Sequence, residues 1–363
     1  MPAFKLSDLK TRQLPELSRG FNQVFKQYLP WTIRLEHHFA PSYVPENRAY
    51  TCVAMDGKKI AAHASGKAYG VRVGDARITW SSFGNVMTLP EYRGKGLASR
   101  INARLWGRMK KDGVDGVYIS GGRGLYTRAG AAFSGRYFSF VLKASQIKAA
   151  SQGLRLKKCG PSNLASLLRL QRSENVGFER SERDFRTTLS HGIAYLCKCQ
   201  AWLLLSSGKP LAWLALNPAK RAKLIDYAGP RSAVLAGLKL ASRKLGFKEV
   251  ELSVAGWDEE FLRLAGGKGK FSLVDGTHLI LDPQRLFKRL RPYFEQQLGK
   301  EAARSLAFKQ KGKGFEVKLG SKRASLKDLP ALTKFIFGNK AKVSGPFQAI
   351  FPLPFPIIGL NWT

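Results

Sequence analysis

Residues 76–111 place a basic, glycine-containing turn between an extended stretch and an amphipathic helix. ARITWSSFGNVMT (76–88) is typical of a β-strand, and over 94–111 one helix face carries Leu97, Ile101, Leu105 and Met109. Between them, residues 93–98 spell Arg-Gly-Lys-Gly-Leu-Ala, which fits the spacing Arg-x-x-Gly-x-Ala. Such glycines let backbone amides point into one concavity at the positive end of a helix. The segment predicts either a cradle for a pyrophosphate group or a simple glycine turn that begins the helix.

The chain is strongly basic. Its 61 Lys and Arg residues outnumber 25 Asp and Glu residues, which gives a net charge of +36. Such a field attracts anions, including nucleic acid and phosphate-rich cofactors. The alternative is a solvated basic surface without a polyanionic partner, because the sequence lacks the aromatic-interleaved basic motifs of nucleic-acid-binding modules.

Other bulk properties predict a cytoplasmic, reduced protein. The N-terminus, MPAFKLSDLK, lacks an apolar signal core, and no run approaches the roughly 18 apolar residues of a membrane span. The four cysteines are too few for a disulfide framework, and Cys197 and Cys199 are interpreted as structural thiols, so no metal site is expected. The sequence does not fix the oligomeric state, and a homo-oligomer is compatible with it.

The pattern of strands and helices predicts three units within the 363 residues. A helix at 14–28, a hairpin at 50–73, the segment 76–111 and strands at 114–121 and 136–143 form one α/β domain, residues 1–148. Residues 149–283 repeat this order loosely, with a helix at 160–172, a hairpin at 195–216, a helix at 234–246 and strands at 248–254 and 276–283. Residues 284–363 form a small α+β module whose apolar, proline-rich tail we expect to pack against the body.

The strand, the Arg-x-x-Gly-x-Ala turn and the helix resemble the acetyl-CoA site of the GNAT superfamily of N-acetyltransferases. ISGGRGLYTRAGAA (119–132) resembles the strand and Tyr-x-x-x-Gly turn that follow in that superfamily. The chain is similar to the enhanced-intracellular-survival acetyltransferases, most strongly over residues 40–140. This resemblance implies an α/β (α+β) fold: tandem GNAT-like domains with mixed, mostly antiparallel sheets and flanking helices, the second one degenerate, and a short sterol-carrier-protein-like C-terminal module.

The resemblance also implies which residues bind acetyl-CoA, the co-substrate. The end of the strand would bond the pantetheine arm and polarise the thioester carbonyl, through Val86, Met87 and Thr88. The turn would supply the pyrophosphate amides, through Arg93, Gly94, Lys95, Gly96, Leu97 and Ala98. Ser120 and Gly121 would end the next strand beside the cofactor.

For catalysis, the resemblance implies Tyr126 as the acid that protonates the departing thiolate and the terminal carboxylate of Thr363 as the base. A phenol with a pKa of roughly 10 stays protonated at neutral pH, which suits that role. Other candidate bases are Glu36, His37, His38 and His63. EHH at 36–38 would line an acceptor pocket or form a surface cluster, whereas a histidine such as His63 in a strand is more often structural.

The predicted function is acetyl transfer from acetyl-CoA to a primary amine of an unidentified acceptor. The nearby carboxylates that could make an acceptor pocket acidic are Glu36, Glu46 and Glu91. In the second unit, Gly229 is followed by Pro230, which lacks an amide, so we expect no CoA there. One alternative is a nucleic-acid-binding protein with a vestigial GNAT domain; another is a lipid binder that uses the C-terminal module.

Overall fold

The computed structural model describes residues 4–29, 31–45, 50–194, 196–267, 269–273, 276–338 and 343–361. Its N-terminal part confirms the order expected from hydrophobic periodicity, with one short strand before the first helix and two short helices after it that were not predicted. It contains β1 (Lys5–Asp8), α1 (Leu14–Phe25), α2 (Leu35–His38), α3 (Ala40–Tyr43), β2 (Thr51–Asp56), β3 (Lys59–Val73), β4 (Ala76–Thr88), α4 (Leu97–Lys111), β5 (Gly116–Ile119), α5 (Gly124–Thr127) and β6 (Arg136–Lys143).

The middle part begins at β7 and ends at β16. Its elements are β7 (Leu154–Lys158), α6 (Leu164–Arg172), β8 (Val176–Glu179), α7 (Glu182–His191), β9 (Ile193–Ala194), β10 (Cys197–Lys198), β11 (Gln200–Ser206), β12 (Lys209–Asn217), β13 (Arg221–Ala228), α8 (Arg231–Leu245), β14 (Glu249–Ala255), α9 (Glu259–Leu264), β15 (Lys270–Leu273) and β16 (Thr277–Ile280).

The last part is built from short helices and one small sheet. Its elements are α10 (Pro283–Arg289), α11 (Arg291–Leu298), α12 (Lys300–Arg304), β17 (Ala307–Lys311), β18 (Gly314–Leu319), β19 (Lys322–Leu326) and α13 (Leu329–Phe337). The Asp328 side chain caps α13 by accepting a hydrogen bond from the Ala331 amide at 2.8 Å. No helix of the described segments is both long and apolar enough to cross a membrane.

The first sheet has the strand order β1–β2–β3–β4–β5–β16, and β8 pairs with the end of β3. Only β4 and β5 run parallel within it. Along β2, Cys52 and Ala54 pack into the hydrophobic cluster that contains α4, whereas Val53 packs into the cluster that contains α1. Because successive strand residues point to opposite faces, α4 and α1 cover opposite faces of this sheet.

The second sheet has the order β15–β6–β14–β13–β12–β11–β7, with α8 packed on it. Two strands lie in a different sheet from the one the sequence suggested. Residues 136–143, expected to complete the first domain, pair as β6 with β14 and β15 of the second sheet. Residues 277–280, expected to close the second unit, pair as β16 with β5 of the first sheet. Alternating hydrophobicity predicts a strand but does not specify which strand it pairs with. The proposed boundary near residue 148 therefore does not separate the two sheets, because each sheet contains strands from both sides of it.

The C-terminal tail packs against the body, as the sequence predicted. Several of its buried residues share a hydrophobic cluster with Trp80 and Tyr118 of the first sheet; among them are Phe347, Ile350, Phe351, Leu353 and Ile358. The Trp257 indole N–H donates to the backbone oxygen of Phe355 at 2.7 Å, which joins the tail to the second half of the chain. The sterol-carrier-like character of residues 284–363 stays a prediction from the sequence.

Candidate active site

The first sheet opens between its two parallel strands. Parallel pairing between β4 and β5 extends from Trp80 opposite Gly116 to Phe83 opposite Ile119. The Ser120 amide makes one further bond, to the Phe83 oxygen at 3.1 Å. Beyond it lies a cleft of about 300 Å³, lined on the β4 side by residues 84–86 and on the β5 side by residues 120–121. Backbone groups of two strands thus converge on a space that a ligand can fill.

A bulge in β4 borders this cleft. β3 advances two residues, from His63 to Ser65, while β4 advances three, from Met87 to Gly84. The extra length is absorbed at Asn85, whose φ of 51° lies in the left-handed region that asparagine tolerates better than most residues. Sequence reasoning missed this bulge, although a Gly-Asn pair inside a strand is a signal for one.

Buried side chains fix the bulge. His63 Nδ1 lies 3.0 Å from the Asn85 carbonyl oxygen, and Asn85 Nδ2 donates to Ser65 Oγ at 3.2 Å. Burial lowers the pKa of His63 to about 4, so the ring is neutral at pH 7. A carbonyl oxygen can only accept, so Nδ1 carries the hydrogen. His63, an alternative base from the sequence, therefore holds the backbone beside the cleft.

Tyr126 of α5 forms part of the cleft wall, together with the predicted residues Val86, Ser120 and Gly121. The phenol side chain is buried and packs in the cluster of α4. Burial raises the pKa of Tyr126 to about 12, and the nearby charge of Arg123 opposes that shift. The phenol is therefore protonated throughout the neutral range and can donate a proton to an atom in the cleft.

The predicted anion turn lies directly before α4. Gly94 and Gly96 both have positive φ, 76° and 71°, and Gly96 is the N-cap residue of the helix. A Cβ built at either glycine would meet no atom within 4 Å, so the turn is open to solvent on that side. Lys95 Nζ lies 5.1 Å from the centre of the Tyr92 ring, which keeps a positive charge at the turn. The helix N-terminus, the open space at the two glycines and the cation together suit a polyphosphate ligand.

Met87 and Thr88 join the cleft to the turn along β4. Met87 is buried in the α1 cluster, and the Thr88 backbone pairs with Ala62 of β3. Leu97 anchors the start of α4 in the core, whereas Arg93 is exposed. These predicted residues thus form one continuous path from the cleft to the helix N-terminus.

The remaining candidate bases lie away from the cleft lining. The Glu36 carboxylate pairs with Arg34 at 3.2 Å, and the His38 ring bonds to the Arg34 backbone. The His37 and His191 rings lie 5.0 Å apart, and burial lowers the pKa of His37. Among described residues, none of these three side chains from 36–38 lines the cleft.

Two further predicted positions cannot be placed. Glu46 and Thr363 lie outside the described residues. Glu91, the other carboxylate considered for an acceptor pocket, is exposed and forms a 2.7 Å ion pair with Lys59. Within the described part of the chain, no group of three or more His, Cys, Asp or Glu side chains could hold a metal ion.

The second sheet carries its own acidic group at the position where the first has the anion turn. There, Gly229 and Pro230 precede α8. The Gly229 amide donates to Glu174 Oε1 at 2.7 Å, and both terminal nitrogens of Arg231 bond to the Glu174 carboxylate at 3.1 and 2.8 Å. Arg231 Nε also donates to Asp258 at 2.7 Å. A carboxylate of the chain itself therefore occupies this helix N-terminus.

Comparison with known proteins gives a family model for the N-terminal part and a shared fold for most of the chain. Residues 5–133 match the family model of the acetyltransferase (GNAT) domain. No curated protein matches the sequence. Among solved structures, a GCN5-related N-acetyltransferase from Anabaena variabilis ATCC 29413 aligns with a TM-score of 0.66 at 13% identity, covering 92% of this chain and 90% of that chain. One from Kribbella flavida aligns with a TM-score of 0.62 at 15% identity, covering 89% and 84%.

Residues 5–133 thus match a GNAT acetyltransferase domain, and the solved structures that share the fold of the chain include GCN5-related N-acetyltransferases. More particularly, the chain has the fold of Eis1 from Mycobacterium abscessus, with a TM-score of 0.61 at 11% identity over 99% of this chain and 97% of that chain. The resemblance inferred from the sequence is confirmed, and for the second and third units it is a likeness of fold.

Proposed function

We propose that the chain transfers the acetyl group of acetyl-CoA to a primary amine in the cleft between β4 and β5. The observation that carries this proposal is the convergence of Val86, Ser120, Gly121 and Tyr126 on one cleft, with the glycine turn a few residues after the end of the same strand. These are the residues expected to hold the thioester and to protonate its sulfur.

The residues present fit acetyl-CoA. The turn at Gly94 and Gly96 offers open space at the N-terminus of a helix of 15 residues, which suits the pyrophosphate. Past Phe83, the divergence of the strands leaves room for an extended pantetheine arm along residues 84–86. When bound, acetyl-CoA supplies an acetyl thioester that is already activated toward amines.

Tyr126 acts as the general acid in this proposal. Its burial keeps the phenol protonated, and Tyr126 lines the cleft together with Val86 and Gly121, which supports this role. Proton donation of this kind contributes typically 10²–10⁴-fold to rate.

The terminal carboxylate of Thr363 is the proposed base. Asn361, the last described residue, accepts a hydrogen bond from Arg180. Asp184 lies four residues after Arg180, and its carboxylate pairs with Lys67 at 3.2 Å. Lys67 lies in β3, two residues beyond the bulge. The tail is thus anchored on a segment that contacts β3 beside the cleft.

The second unit is proposed to bind no CoA. Its helix N-terminus is already paired with the Glu174 carboxylate, and Pro230 supplies no amide. Binding of a pyrophosphate would have to displace a bidentate, largely buried ion pair.

Titration calorimetry with acetyl-CoA, followed by thiol release in the presence of primary amines, tests the proposal. We expect one acetyl-CoA site per chain, whose affinity falls only slightly between about 50 and 200 mM salt because few charges are screened. We also expect the rate of thiol release to depend on the concentration of the amine. A chain that does not bind acetyl-CoA would overturn the proposal.

A second candidate function, polyanion binding, rests on the outer face of the sheet β17–β19. Lys309, Lys311, Lys318 and Arg323 surround a single carboxylate, Glu316, on that face. Contact with Lys311 in particular lowers the pKa of Glu316. Anisotropy with a labelled single-stranded oligonucleotide tests it: affinity should fall steeply with salt and fall again when the four cations are replaced by serine.

A further inference from the structure

The wall of the cleft that faces α1 is aromatic and aliphatic. It is formed by Phe21 and Phe25 of α1, by Tyr28 and Leu29 after it, by Phe39 and by Leu196. The ring centres of Phe21 and Phe25 lie 4.6 Å apart, and those of Phe21 and Phe39 lie 6.0 Å apart. Tyr28 keeps 66% of its surface exposed, which places a free aromatic ring at the cleft mouth. These residues form a preassembled surface for an apolar ligand.

This aromatic wall and the anion turn lie on opposite faces of the first sheet. The turn and Tyr126 belong to the α4 side, whereas Phe21 and Phe39 belong to the α1 side. Acetyl-CoA held at the turn therefore reaches the opening from the α4 side. The second substrate must reach the acetyl group from the opposite side of the sheet, where the aromatic wall lies.

The charge of the cleft excludes one class of acceptor. None of the described residues that line it is acidic, and the one side chain with a fixed charge is Arg123. The candidate carboxylates Glu36 and Glu91 are paired elsewhere with Arg34 and Lys59. The net charge of +36 repels a polycationic acceptor from the chain. Within the cleft, no described lining residue carries a negative charge to offset that repulsion.

An apolar wall also favours the reactive form of an amine. Desolvation disfavours the charged ammonium and lowers the pKa of the amine, and the positive charge of Arg123 acts in the same direction. Binding there therefore shifts a monoamine with an apolar body toward its neutral form, whose nitrogen lone pair can attack the thioester.

We propose that the acceptor is an arylalkyl primary monoamine whose ring stacks against Phe25 and Tyr28. This inference rests on the proposed acetyl transfer and specifies its substrate class. The amine nitrogen bonds to the acetyl carbon, the carbon–sulfur bond breaks, and the sulfur takes the proton of Tyr126. The nitrogen gives up one proton to the proposed terminal carboxylate or to water, which leaves an N-acetyl arylalkylamine and CoA.

Competition between phenethylamine and spermine tests the substrate class in the full-length chain. We expect kcat/KM for phenethylamine to exceed that for spermine at least tenfold. Phe25→Ala should raise KM for phenethylamine roughly tenfold or more while kcat changes less, because it removes binding surface and no reacting group. Phe271→Ala, an exposed phenylalanine of the second sheet, is the matched control and should leave both constants unchanged.

The outcomes separate the two proposals. Acetyl-CoA binding with faster acetylation of spermine than of phenethylamine would overturn the arylalkylamine inference alone. Wild-type kinetics of Phe25→Ala with phenethylamine would also overturn it, provided that thermal unfolding shows a folded variant. Absence of acetyl-CoA binding would overturn the proposed acetyl transfer itself.

Discussion

Replacing Gly96 by alanine isolates the contribution of one backbone conformation to ligand binding. Gly96 has φ of 71° and nothing within 4 Å of the position that a Cβ would take. The substitution therefore adds no steric overlap, and its effect is conformational. Gly107, in the same helix, offers a matched control, because its added Cβ also meets no atom but its backbone is helical.

The two substitutions should change the free energy of unfolding in opposite directions. An L-residue in the left-handed region costs about 1–2 kcal/mol, so Gly96→Ala lowers stability by about that amount. Alanine in place of glycine inside a helix gains about 0.5–1 kcal/mol, so Gly107→Ala raises it.

If the alanine relieves its strain by turning the backbone, amides leave the concavity. Each lost hydrogen bond to a charged phosphate costs about 1.5–3 kcal/mol, which corresponds to roughly 10–100-fold in affinity. Adding Gly94→Ala, at φ of 76°, should deepen the loss.

Calorimetric titration with CoA and denaturant unfolding, run on the same preparations, check both effects. Gly94→Ala/Gly96→Ala should bind CoA at least tenfold more weakly while remaining folded at assay temperature, and Gly107→Ala should bind it as the parent chain does. Unchanged CoA affinity in the double variant would show that the turn does not hold the pyrophosphate. Equal loss of affinity in Gly107→Ala would attribute the effect to α4 as a whole.

Three further outcomes are expected. Tyr126→Phe keeps the buried ring and removes its proton, so turnover should fall roughly 10²-fold or more with CoA affinity unchanged; undiminished turnover would mean that water protonates the thiolate. Deleting Trp362 and Thr363 should abolish acetylation with little change in melting temperature or CoA affinity, and an active truncated chain would make the tail structural only. Glu174→Ala leaves the buried Arg231 underpaired and should lower the free energy of unfolding by about 3–5 kcal/mol. Glu182→Ala removes one partner of an exposed ion pair and should change the free energy of unfolding by about 0.5 kcal/mol or less. Equal effects of the two substitutions in denaturant unfolding would refute this difference.

The strands β2 to β5 of the first sheet and the helix α4 could be predicted because each carries a local signal, whereas the short strands β1 and β8 were not predicted. The helical spacing of Leu97, Ile101, Leu105 and Met109 predicted α4, and all four are buried. The turn at 93–98 was recognisable because glycine is the residue that positive φ favours. Helices, strands and turns whose signal lies within a short local segment could therefore be predicted from the sequence.

Features that depend on distant residues were not accessible. Phe21 and Phe25 have the spacing of an ordinary core-facing helix, and nothing local shows that an opening in the sheet leaves their rings beside a cleft. The pairing of Glu174 with Arg231 joins residues 57 positions apart. The bulge at Asn85 has a local signal in its Gly-Asn pair, but its position opposite β3 depends on the register of the two strands, which the sequence of one strand does not specify.

The exchange of β6 and β16 between the two sheets bears on how the chain can be synthesised and divided. The edge of β5 stays uncovered until β16 emerges, roughly 160 residues later, which at about 5–20 residues per second is on the order of 10 s or more. During that interval the nascent first sheet presents an open apolar edge that includes Val117 and Ile119, a template for pairing with other chains. A fragment ending near residue 148 would keep that edge permanently, together with an orphaned β6. The two halves are therefore inseparable as folding units, and a chaperone that shields the nascent N-terminal half should raise the yield of the intact chain more than that of a protein with sequential sheets.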